Sequence, residues 1–495
     1  MKKHSDPRTG IRILLASLAT TVIAGCIVEP SALTPADRRA ALATDQQAMF
    51  SNQQPVQGPI TLEEAMARAV KYNLDSRVKM MEAAVAQREL DLSNFDLLPK
   101  LAASAGYTRR DRVLASSSRS VATGEESLVP STSTDRDVRT ADLNLSWNIL
   151  DFGVSYYSAK QQADRVLGLQ ERRRKAVQQL MQQTRAAFWQ AAGAQRLEGQ
   201  IEPLLAQARQ ALSDSRNIEK GGLEPPLEAL AYQRELLELT VQLEGIRDQL
   251  EQAKPKLAAI MDLPPGKPFE VAAPDSFDQP ALRIVPEQME ETALLNRPEL
   301  IEARYTERIG LNETHKALAR LLPGVQLSLG SHYDSNSFLV YSAWNDAGVQ
   351  ASWNLLNLVS AHSIRASAKA QYLLAREQRL AACVAVLAQV HVAWIDFHSR
   401  QEQFQLIKEL NGVEQRMLEH TRNATAADAR GKLTEIRAAT SALMTQLRLY
   451  ESYSAYQDAY GEMLTTLGVD PLPSVSVDAD LSALATAIRK QYANL

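Results

Sequence analysis

Two stretches, Val154 to Glu219 and Ser360 to Thr425, each hold a helical pattern for 66 residues, and that length constrains the fold more than any other feature. At a rise of about 1.5 Å per residue each helix would reach roughly 100 Å. That is out of scale for a globular domain, so such helices have to pair laterally along their length, as in a coiled coil. Pro203 falls inside the first run and would kink it without ending it. Gly221-Gly222 break that run and Leu227 to Leu263 returns; Gly431 marks the turn after the second and Leu433 to Leu467 comes back. The net charge of -4 carries no bulk polyanion-binding character, so nucleic acid is not an expected partner.

The long runs belong to a unit written twice. "LLPKLAASAGY" at Leu97 and "LLPGVQLSLGSHY" at Leu321 stand 224 residues apart; Trp147 of "LSWNILD" and Trp353 of "ASWNLLN" stand 206 apart. The 18-residue difference falls in the Ser/Thr-rich "LASSSRSVATGEESLVPSTSTDR", which reads as a loop tip. Each half reads as helix, strand, loop, strand, long helix, turn, helix. The first helix opens at Thr61 and ends at Leu98 before Pro99. Boundaries follow: 60–263 for the first repeat, with strands at about 101–112 and 138–150 and a helical hairpin at 154–263; a proline-rich linker at 264–286; 287–470 for the second repeat, with strands at about 324–334 and 344–355 and a hairpin at 360–467; and a tail at 471–495.

In the strands apolar residues alternate with small or polar ones. Leu143, Leu145, Trp147 and Ile149 share one face, as do Val349, Ala351, Trp353 and Leu355. Asp142, Asn144, Ser146 and Asn148, and Gly348, Gln350, Ser352 and Asn354, take the other. The preceding strands repeat the pattern, with Leu101 to Tyr107 against Ser104 and Gly106, and Val325 to Tyr333 against Ser328, Gly330 and His332. This is the pattern of membrane barrel strands, apolar toward lipid and polar toward a wet lumen; a soluble sheet with one dry face gives the same pattern in any single strand. Four strands cannot close a barrel, and an open edge in hydrocarbon strands backbone groups at several kcal/mol each. One chain must therefore recruit copies of itself.

At the N-terminus a basic segment with Lys2, Lys3, Arg8 and Arg12, an apolar run from Ile13 to Ile23, and Ile23-Ala24-Gly25-Cys26 read as a bacterial export signal over 1–25 with a lipoprotein cleavage motif. Cys26 is the lipid-anchor candidate, heading a linker at 26–59; an ordinary secretory signal with a chance Cys is the alternative. Ile27 in place of Asp implies an outer-membrane destination. Cys383 then lacks a disulfide partner and is expected as a small buried hydrophobe. Beyond residue 26 no uninterrupted run of 18 apolar residues occurs, so no membrane-crossing helix is expected.

From Ile60 to about Pro473 the duplicated order, the "LLP" strand junctions, "SWNILDFG" and "SWNLLN", and the Gly-marked tips together resemble the TolC-like outer-membrane efflux and secretion channels. The resemblance implies a mainly α fold with a small membrane β-barrel portion. Three protomers would give four strands each to a 12-stranded barrel above a periplasmic helical barrel. It implies a homotrimer in outer-membrane lipid that acts as a passive exit duct, met by a periplasmic adaptor protein and an inner-membrane transporter. Cargo stays open between small molecules, polypeptide and polysaccharide. A periplasmic coiled-coil scaffold lipoprotein without a channel is the alternative.

The helix tips are the entrance in that family, which places Gly221, Gly222 and Glu228 at the first tip and Gly431, Thr434, Glu435, Arg437 and Thr440 at the second. Glu228 keeps the family's acid, whereas Arg437 and Thr440 stand where some members carry acids. Glu228 with Arg437 across the tips is a candidate latch; two solvated charges are the alternative. Arg172-Arg173-Arg174-Lys175 reads as a solvated helix face. His391 and His398 lack an acid or Cys completing a metal set. No G-x-S-x-G, H-E-x-x-H or phosphate-loop motif occurs, so neither an enzyme nor a cofactor is expected.

Overall fold

The computed structural model describes residues 30–493, apart from 52, 128, 222–224, 265, 274–275, 278, 281–284, 426–430, 471 and 473–478. Cys26 and the export segment lie outside the described residues. The described residues fall into two compact units, divided between 53 and 54. The first holds α1 (Pro35–Met49), started by a capping box in which Thr34 and Asp37 satisfy each other's backbone N–H groups.

The second unit contains the repeat. It runs α2 (Leu62–Tyr72), α3 (Leu74–Phe95), β1 (Lys100–Arg109), β2 (Asp137–Asn148), α4 (Ile149–Lys220) and α5 (Pro226–Ile260), then α6 (Pro286–Asn296), α7 (Pro298–Ala319), β3 (Gly324–Asp334), β4 (Ala343–Ser352), α8 (Leu356–Thr425) and α9 (Gly431–Thr466), and closes with α10 (Leu481–Ala493). The helix expected from Thr61 to Leu98 is two helices. Asn73 ends α2 in an extended conformation and its side chain caps α3 through the Ser76 N–H at 3.1 Å. The second half breaks at the same place, where Pro298 opens α7.

The long helices start earlier than the periodicity suggests, at Ile149 and Leu356 rather than 154 and 360. The cause is the asparagine of each Trp-Asn twin. Asn148 Oδ1 accepts from the Leu150 and Asp151 N–H groups at 3.0 and 3.4 Å, and Asn354 Oδ1 accepts from the Leu356 N–H at 3.1 Å. A side chain that caps a helix ends the strand before it. So Ile149, expected on a strand, is the first residue of α4, while Trp353 and Leu355 lie in the turn between β4 and α8.

α4 carries through Pro203 and spans 72 residues, about 108 Å at 1.5 Å per residue. It packs along α5, α7, α9 and α3, and α8 packs along α9 and α7. Toward the hairpin tips Leu197, Leu205, Leu236, Leu243, Ile436 and Leu443 interleave in a buried seam. Farther from the tips an aromatic core gathers Trp189, Phe404, Tyr453 and Tyr456, with Trp189 edge-on to Tyr453 at 4.6 Å. Burying each such side chain stabilises by roughly 1.5–3 kcal/mol. A third cluster joins α10 to α2 through Leu484, Ile488, Met66 and Val70.

Three further expectations change in this unit. The basic run is only in part a solvated face: Arg172, though exposed, pairs with Glu302 at 2.6 Å and Lys175 with Glu299 at 3.0 Å, tying α4 to α7. And α8 does hold a stretch long and apolar enough, by length and composition, to cross a membrane. Its apolar residues divide between a buried stripe, Val386, Val390, Ala393 and Phe397, and an exposed one, Val384, Val392 and Ile395. Gln389, His391 and Asp396 interrupt it, which is why an uninterrupted-run criterion passes over it. Cys383 is half-buried at the edge of the aromatic core rather than inside it.

Candidate functional site

The four strands form one antiparallel sheet in the order β1-β2-β3-β4. Its register sorts side chains by face. Leu101 stands opposite Leu145, Leu145 opposite Leu329, and Leu329 opposite Ala347; Trp147, Leu327 and Val349 form the next row. These share a face with Leu143, Ala103, Ala105 and Ala141. Every residue of β1 and of β4 is exposed. Leu143 is 47% and Val349 76% accessible, so this apolar face lies uncovered in the protomer. Leu145 is half-buried among its neighbours.

The Trp twins mark the sheet's helical end. Trp147 packs edge-on against Phe152 at 5.8 Å, and Trp353 Nε1 donates to the Leu321 carbonyl of the "LLP" junction at 3.0 Å. Ile149 and Leu355, both exposed, extend the apolar surface past the strand ends.

The opposite face is polar and has a centre that the sequence left unassembled. His332 on β3 stands between carboxylates from both neighbouring strands, with Nδ1 2.7 Å from Asp142 Oδ1 and Nε2 3.2 Å from Asp346 Oδ2. Its ring stacks on Trp344 at 5.3 Å, and Ser104 Oγ donates to Asp142 at 3.3 Å. Gly330 makes the cluster possible, because a Cβ there would meet His332 Nε2 at 2.3 Å and Asp346 Oδ1 at 2.6 Å. The strand alternation named His332, Gly330 and Asp142 as polar-side residues; the cross-strand register, which no single strand encodes, brings them together. Among the described residues no group of three His, Cys, Asp or Glu is arranged to hold a metal ion. His391 is bound to Glu290 at 2.7 Å, and His398 packs edge-on to Trp394 at 4.1 Å.

At the hairpin ends Gly221 closes α4, its N–H donating to the Asn217 carbonyl at 3.0 Å. Gly222 lies outside the described residues, and Gly431 is the first residue of α9. Glu228 and Thr434 are exposed, in the first turns of α5 and α9. Of the two alternatives for Glu228 and Arg437, the candidate pair is not the one seen. Arg437 is paired instead with Glu235, two helical turns along the same face of α5, because that is the level at which α9 runs alongside. Glu435 reaches Arg422 on α8 at 3.6 Å. Thr440 is not a surface residue of the tip: it is buried, and its hydroxyl donates to the Ile436 carbonyl at 2.8 Å.

Solved structures share this fold, among them three outer-membrane proteins. The CmeC outer membrane channel of Campylobacter jejuni aligns over 95% of this chain and 98% of its own, with a TM-score of 0.66 at 14% identity. The outer membrane protein VceC of Vibrio cholerae aligns over 82% and 96%, at 0.61 and 15%. The MtrE outer membrane channel of Neisseria gonorrhoeae aligns over 85% and 94%, at 0.60 and 14%. No curated protein sequence matches significantly. The sequence profile described as "Outer membrane efflux protein" matches residues 68–262 and 290–469, one span in each repeat. With well over half the chain matched and both repeats folded as strand pairs feeding long helical hairpins, the protein belongs to the outer membrane efflux protein family, channels of the bacterial outer membrane without enzymatic activity.

Proposed function

We propose that three copies of the chain close a 12-stranded barrel and that the closed assembly is the passive exit duct of a tripartite efflux or type I secretion system. One observation carries this reading: β1 and β4 are both free edges of a four-stranded sheet that is uncovered on its apolar face. Free edges and an apolar surface are stable in hydrocarbon only when the sheet closes on itself. Pairing β4 of one copy with β1 of the next satisfies the backbone and turns the His332 face toward the lumen. The exposed stripe Val384, Val392 and Ile395 on α8 supplies apolar surface for copy-to-copy packing of the helices.

In this reading an inner-membrane transporter supplies the energy and a periplasmic adaptor docks at the tips around Gly221, Glu228, Gly431 and Thr434. Cys26 carries the lipid anchor. Purified protein in a planar bilayer is expected to conduct as a trimer; a strictly monomeric, non-conducting product overturns the proposal. Drug sensitivity and secretome of a deletion strain distinguish small-molecule efflux from polypeptide or polysaccharide export.

A further inference from the structure

We infer that Arg109 and Arg139 form a site for the phosphate groups of a phosphorylated glycolipid in the outer leaflet. The inference rests on membrane placement of the sheet. Register puts both arginines on the apolar face: Tyr107 stands opposite Arg139 and Arg109 opposite Asp137, so the two are diagonal neighbours across one strand pair, with Cβ atoms up to about 7–8 Å apart. That spacing suits two guanidinium groups sharing one phosphate, and arginine's planar fork matches phosphate oxygens in pairs.

Their depth is set by the same ladder. Arg139 lies eight residues from Trp147 along β2, about 27 Å at 3.4 Å per residue and about 21 Å in height at a tilt of about 40°. Arg109 lies one row farther out. An apolar barrel band is about 25 Å tall and edged by aromatic girdles. Trp147 therefore marks the helix-side edge, Tyr107 and Tyr333 mark the loop-side edge, and the two arginines stand at headgroup level. Between these edges the face holds only Leu, Ala and Val, apart from Ser331 and Asn345. Acyl chains pack there while the phosphate meets the arginines.

The local charges leave Arg139 available. Among the described residues its side chain has no carboxylate partner, and its backbone N–H and carbonyl are taken by Ser335. Arg109 is 3.7 Å from Asp137, an exposed pair with both groups more than half accessible, and Asp137 also accepts from the Tyr107 hydroxyl at 2.9 Å. Arg136 is bound to the Asp111 carbonyl at 3.0 Å, and Asp135 is bound to Ser337. Arg110 and Arg112 in the adjoining loop are exposed and add positive field; the Asp111 carboxylate is the opposing charge between them.

The test uses the full chain in nanodiscs of zwitterionic phospholipid doped with bis-phosphorylated lipid A or its dephosphorylated form, with retained lipid measured by native mass spectrometry. Wild type is expected to retain the phosphorylated form selectively. Arg139→Ala is expected to lower retention about fivefold, and Arg109→Ala with Arg139→Ala about as much again. Arg139→Lys should fall between, keeping the charge without the fork. Conductance of every variant stays at the wild-type value, which separates this site from the channel reading. Equal retention of both lipid forms, or wild-type retention by the double variant, overturns the inference. So does displacement by inorganic phosphate at millimolar concentration, which would assign the site to a soluble anion. Should the double variant not insert, Arg139→Gln alone carries the test.

Discussion

Gly193 sits where α4 presses against α9, and a Cβ placed on it would meet Tyr450 Cβ at 2.5 Å and Cγ at 2.7 Å. Alanine would gain up to about 1 kcal/mol of helix propensity, but overpacking costs about 1–3 kcal/mol, and Tyr450 Cβ is too close to its own backbone to swing away. Gly193→Ala is therefore expected to lower the thermal midpoint followed by circular dichroism. Asp458 on α9 is a second such residue. Burial pushes its carboxyl above the ordinary 3.8, partly offset by a hydrogen bond from Gln182. An acid whose pKa is raised by folding penalises the folded state once ionised, with the penalty growing above pH 3.8 and complete above the raised value. Asp458→Asn keeps the acceptor and removes the charge. The variant is expected to melt higher than wild type at neutral pH, with the difference vanishing in acid.

The repeated Trp-Asn is a strand-to-helix junction, in which tryptophan braces the sheet against the helices and asparagine caps the helix. Asn148→Ala or Asn354→Ala is expected to cost about 1 kcal/mol, read as faster amide exchange in the first turn of α4 or α8. The strand alternation was legible because a period of two is local. The exact junction was not, since Asn148 and Asn354 continue the alternation while their side chains already serve the next element. The sheet's two faces predict opposite responses to charge. Leu143→Arg near the middle of the apolar band is expected to cost about 2–4 kcal/mol and block insertion, whereas Asn144→Arg on the polar face inserts normally. Equal tolerance of both, scored by heat-modifiable oligomer in outer-membrane fractions, would point to a scaffold with no lipid-facing wall.

For the whole molecule, surface ion pairs lie over the buried apolar seam near the hairpin tips, Arg437 with Glu235 across hairpins and Arg422 with Glu435 within one. Each is exposed and worth about 0–1 kcal/mol. A latch built from such pairs is marginal and sensitive to salt. Arg437→Ala is expected to raise conductance at physiological ionic strength, with the difference from wild type lost near 1 M salt, where the screening length falls to about 3 Å. An effect that persists at high salt would assign the change to packing.

By itself the sequence determined the duplicated order, the paired long helices and the four alternating strands, because periodicity and chain length act locally along the backbone. Only the tertiary structure decided that Arg437 meets Glu235, that Thr440 is buried, that the basic run on α4 clamps α7, and that His332 lies between Asp142 and Asp346. Each of these depends on how far one element slides along another, and no local pattern in the sequence records which side chains of two elements end up level.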